Sequence, residues 1–156
     1  MLFRLKRDLN LSLPKPLCGL VINYSYLWAN EAAKGYEDGR KNRPVTVVMS
    51  INVEGSNTSR VYVLPITHSP PINDDEALEI PAAVCISCGL DASPSWVVLS
   101  EFNEFIWPGT DLNIIPNKTP RTIAYGFMTA GFFNTIRDKW LGLKKAKRST
   151  AVSRDV

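Results

Sequence analysis

The stretch Lys41-Asn-Arg-Pro-Val-Thr-Val-Val-Met-Ser-Ile-Asn-Val53 decides the architecture of this chain. Two cations and a proline stand in front of an alternating run, with Val45, Val47, Met49, Ile51 and Val53 on one face and Thr46, Val48, Ser50 and Asn52 on the other. Successive side chains of a strand point to opposite faces, so this pattern predicts a β-strand. Glu54-Gly-Ser-Asn-Thr-Ser59 follows as a hairpin loop, and Arg60-Val-Tyr-Val-Leu64 resumes as the antiparallel partner. Pro65 has no N–H for a ladder, so the second strand should meet a rim or bulge there and leave Thr67 and His68 exposed at its end.

Upstream, Leu20 to Trp28 is rich in Val, Ile, Tyr and Trp and reads as a first strand. Glu31 to Arg43 mixes Gly35 and Gly39 with charged residues, which predicts a long mobile loop and the first candidate for a lid or binding segment. Downstream, Ala77-Leu-Glu-Ile80, Ser95-Trp-Val-Val-Leu99 and Glu104-Phe-Ile-Trp107 are short strand-like pieces, the last broken by Pro108-Gly109. Near the end, Phe133, Ile136, Trp140 and Leu143 recur at spacings of three and four opposite Arg137, Asp138 and Lys144, the signature of an amphipathic helix. A mainly β chain with some α follows, an α+β fold built on a small barrel or strongly bent sheet.

At 156 residues the chain suits one compact domain. Residues 1–17 read as an N-terminal extension, 18–143 as the domain, and 144–156 as a basic disordered tail. Arg4, Lys6, Arg7 and Asp8 interrupt the early leucines, and no later apolar stretch is long enough to span a bilayer, so the expectation is a cytoplasmic protein with no membrane contact. The net charge of +3 divides unevenly: +3 over residues 1–17, −4 over 18–140 and +4 over 141–156. A nucleic-acid surface must therefore be a local patch rather than a field of the whole molecule. Cys18, Cys85 and Cys88 cannot all pair, and Cys85-Ile-Ser-Cys88 lacks the second ligand pair of a structural zinc, so reduced thiols are the simpler reading.

The order of strand, charged loop, Lys-x-Arg-Pro, alternating strand, hairpin and Pro-x-Thr resembles the MazF/PemK-like toxins of bacterial toxin–antitoxin pairs. Gly19-Leu-Val-Ile-Asn-Tyr-Ser-Tyr-Leu-Trp28, Lys41-Asn-Arg-Pro-Val-Thr-Val-Val48, Val61-Tyr-Val-Leu-Pro-Ile-Thr67 and Ser95-Trp-Val-Val-Leu-Ser-Glu101 carry the likeness. It implies an SH3-like barrel of about five to seven strands with a C-terminal helix, forming a homodimer. It further implies cleavage of single-stranded RNA without a metal or other cofactor, and silencing by a cognate antitoxin protein. In such enzymes the ribose 2′-OH attacks the adjacent phosphorus and leaves a 2′,3′-cyclic phosphate and a 5′-hydroxyl.

On that resemblance Arg43 is the leading catalytic candidate, because a planar guanidinium held on rigid backbone can bond two phosphate oxygens as charge builds on the phosphorane. Thr67 would donate a hydroxyl to the phosphate or orient the attacking group. His68, the only histidine, is a candidate acid or base, and Glu101 would accept a proton or bind a base edge. Lys34, Arg40 and Lys41 would track phosphates, with Tyr36 and Trp107 as stacking platforms for bases. The chain departs from the pattern at Leu99 and Glu104, positions often basic in relatives, which removes positive charge from the expected groove. Two other readings stand beside the nuclease: a CcdB-like toxin that binds a protein target without catalysis, for which Trp140-Leu-Gly142 is a displaced counterpart of the C-terminal tryptophan-glycine pair, and a catalytically silent barrel.

Overall fold

The computed structural model describes residues 13–39 and 41–155, and the described residues form eight strands and three α-helices. Strand β1 (Leu20–Tyr24) pairs antiparallel with β2 (Arg43–Asn52), and β2 pairs antiparallel with β3 (Ser59–Thr67), as the alternating pattern predicts. The remaining strands are β4 (Ala77–Glu79), β5 (Trp96–Val98), β6 (Glu101–Trp107), β7 (Ala124–Phe127) and β8 (Thr150–Ser153). The helices are α1 (Ala29–Ala33), α2 (Ala82–Ser87) and α3 (Ala130–Lys145). All strands join one sheet of order β4-β5-β3-β2-β1-β7, from which β6 and then β8 branch off β3. The fold is α+β, mainly an antiparallel sheet with a C-terminal helix; β6 with β8 is its parallel pair. The path of paired strands does not return to its start.

Two details of β2 and β3 shape the molecule. The β2–β3 register shifts between Val47 and Met49, leaving Val48 as an extra residue. Such a bulge reverses the phase of the alternation. Val45 and Val47 therefore pack in one core with Leu20, Tyr24 and Phe105, whereas Val48 and Met49 turn to the other, around Trp140, Ile136 and Phe102. The single apolar face expected over Val45–Val53 is thus split between two cores, and Ile51 and Val53 reach solvent. Pro65 lies inside β3, opposite Val45. Its missing N–H falls where β3 changes neighbours, from β6 at Val63 to β5 at Ile66, so the ladder loses no donor that it needs.

The segment after β1 and the chain's end differ from expectation. The stretch predicted as loop from Glu31 falls partly in α1, whose first turn is capped both from outside and from within: Glu101 Oε1 accepts from the Ala29 N–H at 2.8 Å, and Glu31 Oε1 of the helix itself accepts from the Trp28 N–H at 3.2 Å. Of residues 144–156, expected to be a disordered tail, the described part, 144–155, instead completes α3 and then forms β8 against β6. Polar composition suggested disorder, but Val152 is buried and the Arg154 side chain is only 2% exposed. Its guanidinium bonds Asp111 at 3.1 Å and donates to the Ser25 carbonyl at 2.7 Å and Asn103 Oδ1 at 3.1 Å. Charge placed in a ready-made cage satisfies its own burial. Among the described residues no helix is long and apolar enough to cross a membrane. The N-terminal extension lies largely outside the described residues.

Candidate functional site

Arg43 opens β2 opposite Tyr24 of β1, and Thr67 closes β3 opposite Trp96 of β5. The β2–β3 ladder pairs Val45 with Pro65; continuing that register by two residues sets Arg43 across from Thr67. The hairpin thus brings together side chains 24 positions apart in the chain. They line a cleft of about 570 Å³ with Lys41, His68, Ser95 and Tyr125. A neighbouring cleft of about 350 Å³, walled by Trp28, Glu76 and Val98, shares Lys41, Arg43, Thr67 and Ser69 with the first. The two clefts form one groove, and Arg43 stands at their junction.

The guanidinium of Arg43 is half-buried, with its central carbon 4.8 Å from the centroid of the Trp28 ring. Its Nε is buried and has no hydrogen-bond partner among the described residues. Burial pushes its pKa down, while Glu31 and Tyr26 work in the opposite direction. A guanidinium stays charged through any shift of this kind. The result is a fixed cation stacked on an indole, with an N–H that the fold does not satisfy.

His68 is held by its δ nitrogen. Nδ1 lies 2.9 Å from the Pro94 carbonyl and 3.2 Å from Ser95 Oγ. Thr67 Oγ1 accepts from the Ser69 N–H at 3.1 Å, which ties the strand's end to the turn that follows. Asp91 closes the far side of the cleft; its carboxyl is held below the usual range chiefly by the Ser93 backbone N–H, with smaller help from His68.

Glu101 is placed differently from Arg43, Thr67 and His68. It lines a separate pocket with Trp28, Glu31, Lys34 and Tyr36, so the Trp28 ring is the wall between this pocket and the groove. Glu101 Oε1 accepts from both Ala29 N–H and Tyr26 Oη, at 2.8 and 3.1 Å. Burial raises its pKa, partly offset by those two donors. This carboxylate holds α1 in place before it does anything else.

Of the residues proposed for RNA contact, Lys41 lies in the groove and Lys34 and Tyr36 in the pocket beside it. Arg40 lies outside the described residues. Trp107 must be withdrawn as a stacking platform: it is 7% exposed and packs in the core near Phe105, leaving no ring face for a base. Leu99 is buried and Glu104 lies 3.9 Å from Arg60; neither lines the groove, so their lack of positive charge leaves it unchanged. Cys85 and Cys88 are core residues whose thiols are pushed up by burial, Cys88 to about 11, and no three metal-ligating side chains cluster among the described residues.

Three groove residues escaped sequence reasoning. Trp28 carried a signal, since it ends the run Tyr24, Tyr26, Trp28, whose first two members are buried. Ser95 and Tyr125 carried none, because only the pairing of β5 with β3 and of β7 with β1 brings them near His68 and Arg43. Comparisons with protein-family models, curated proteins and solved structures found no match to this chain. The likeness to MazF/PemK-like toxins therefore rests on the sequence motifs alone.

Proposed function

We propose that this chain is the toxin of a type II toxin–antitoxin pair, a metal-independent endoribonuclease acting on single-stranded RNA in the groove around Arg43. One observation carries this reading: a half-buried arginine with an unsatisfied Nε–H lies at the centre of a groove that also holds Lys41, Thr67 and His68. A phosphodiester supplies the missing acceptor. As the 2′-oxygen adds to phosphorus, charge on the equatorial oxygens rises, and a preorganised guanidinium stabilises the transition state more than the ground state. Trp28 and Tyr36 offer rings to the flanking bases, with Lys34 and Lys41 along the phosphates.

In this reading the strongly branched sheet is an SH3-like barrel in its open form, two copies assemble as a dimer, and a small antitoxin covers the groove. The protein-binding alternative loses its main support, since Trp140 is fully buried against Phe102 and cannot contact a partner. The test is incubation of purified protein with unstructured RNA in excess chelator. Cleavage leaving cyclic phosphate ends, lost in Arg43→Ala with the fold retained, is the expected result; intact RNA with the wild-type protein sinks the proposal.

A further inference from the structure

His68 is fastened to the fold through one nitrogen only, and its partners dictate which. The Pro94 carbonyl 2.9 Å from Nδ1 can only accept, so Nδ1 must carry a hydrogen. Ser95 Oγ gives its own hydrogen to the Ser93 carbonyl at 3.1 Å, so towards His68, at 3.2 Å, it too accepts. Ser95 is 2% exposed and fixed at the entry to β5, so this acceptor cannot swing away. Nε2 has no hydrogen-bond partner among the described residues, and the ring lines the groove with Arg43 and Thr67. An imidazole with nothing to choose between its nitrogens favours hydrogen on Nε2, where the lone pair would then point into the Pro94 carbonyl.

We infer that Ser95 and the Pro94 carbonyl lock His68 in the Nδ1–H tautomer, so that Nε2 is the groove's proton acceptor and Ser95 a positioning residue for it. The inference rests on the nuclease reading and sharpens it. In the step, the proton of the ribose 2′-OH passes to His68 Nε2, the O2′–P bond forms, and the P–O5′ bond breaks. The departing 5′-oxygen takes a proton from water, and the imidazolium returns its proton to solvent. The other groups facing the cleft serve less well: Arg43 and Lys41 are cations, Tyr125 is pushed up by burial, and Asp91 is a weakened base because Ser93 already donates to it. Thr67 Oγ1 is occupied by the Ser69 N–H, and Glu101 lies behind Trp28.

Because the chain has a single histidine, a sample labelled with nitrogen-15 histidine gives one imidazole, and long-range proton–nitrogen correlation reads its tautomer without reference to activity. The neutral ring of the wild type should show Nδ1 protonated and Nε2 bare. Ser95→Ala should move population towards the Nε2–H form and slow RNA cleavage about tenfold, and His68→Gln should slow it about a hundredfold, the lower bound for lost acid–base catalysis. A wild-type ring protonated mainly on Nε2 overturns the lock. His68→Gln cleaving at the wild-type rate while Arg43→Ala is inert overturns the proton transfer alone; a wild-type chain that leaves RNA intact overturns it together with the nuclease reading.

Discussion

A guanidinium differs from an ammonium in shape more than in charge, and Arg43 is where that difference can be measured. Its plane stacks on Trp28 while its N–H groups form a fork that two phosphate oxygens can fill. Arg43→Lys keeps the charge and loses the fork and the stack, so RNA binding should fall only a few-fold while the cleavage step slows by roughly ten- to a hundredfold. Single-turnover kinetics against a binding titration separates the two. Glu101 makes a second residue-scale prediction. Its pKa is raised mainly by burial, so the folded chain holds this proton to a higher pH than the unfolded chain does. Stability contributed by the group is full below the ordinary carboxylate range and is lost as pH rises through the raised value. Urea midpoints should show Glu101→Gln gaining on the wild type across that window. Glu101→Ala should instead lose about 1–3 kcal/mol at all pH values, because the Ala29 N–H and Tyr26 hydroxyl are left without their acceptor.

Short elements carry much of the site's rigidity. The last strand, β8, is four residues long, yet Arg154 just beyond it ties the carbonyl of Ser25, the side chains of Asn103 and Asp111 and the loop at Glu37 into one knot. Removing one partner of a buried pair strands the other, so Arg154→Ala should cost about 3–5 kcal/mol in chemical denaturation. Arg154→Ala should also weaken RNA cleavage, since Glu37 lies in the segment leading to Lys41. At the end of α2, Gly89 has φ +82°, and a Cβ there would sit 2.2 Å from the Tyr125 carbonyl. Both residues line the groove. Gly89→Ala must push β7 outward, and it should lower thermal stability and cleavage together, whereas a change at Gly55, which has open space around it, should affect neither beyond the strain of its own turn.

Over the whole molecule, charge is arranged by region and not by total. An acidic body lies between basic ends, and Arg148 near the C-terminus pairs with Asp75, one residue from the Glu76 that borders the groove. That pair removes one negative charge from the approach to Arg43. Binding should therefore depend on salt only modestly. For about three phosphate contacts by Lys34, Lys41 and Arg43, the slope of log affinity against log salt for single-stranded RNA is expected near −2, from about 0.7 per contact. A slope near zero, or one steeper than about −4, in a fluorescence titration would place the RNA elsewhere on the surface.

Local chemistry was enough to read the hairpin, since alternation at period two and a glycine-containing turn leave few other conformations for residues 43–67. It was enough for α3 as well, where Ile136, Trp140 and Leu143 keep helical spacing. The motif order also singled out Arg43 and Thr67, and His68 stood out beside them as the chain's single histidine. Tertiary pairing settled the rest: the bulge at Val48 is set by the register against Tyr62 and Val63, and the change of partner at Pro65 and the capture of Arg154 depend on residues dozens of positions away. The same holds for Trp107 falling in the core and for Ser95 reaching His68. A polar residue in a sequence carries no mark of whether water or a buried carboxylate will surround it; only the packing of the folded sheet makes that choice, because it alone decides which surfaces lose their solvent.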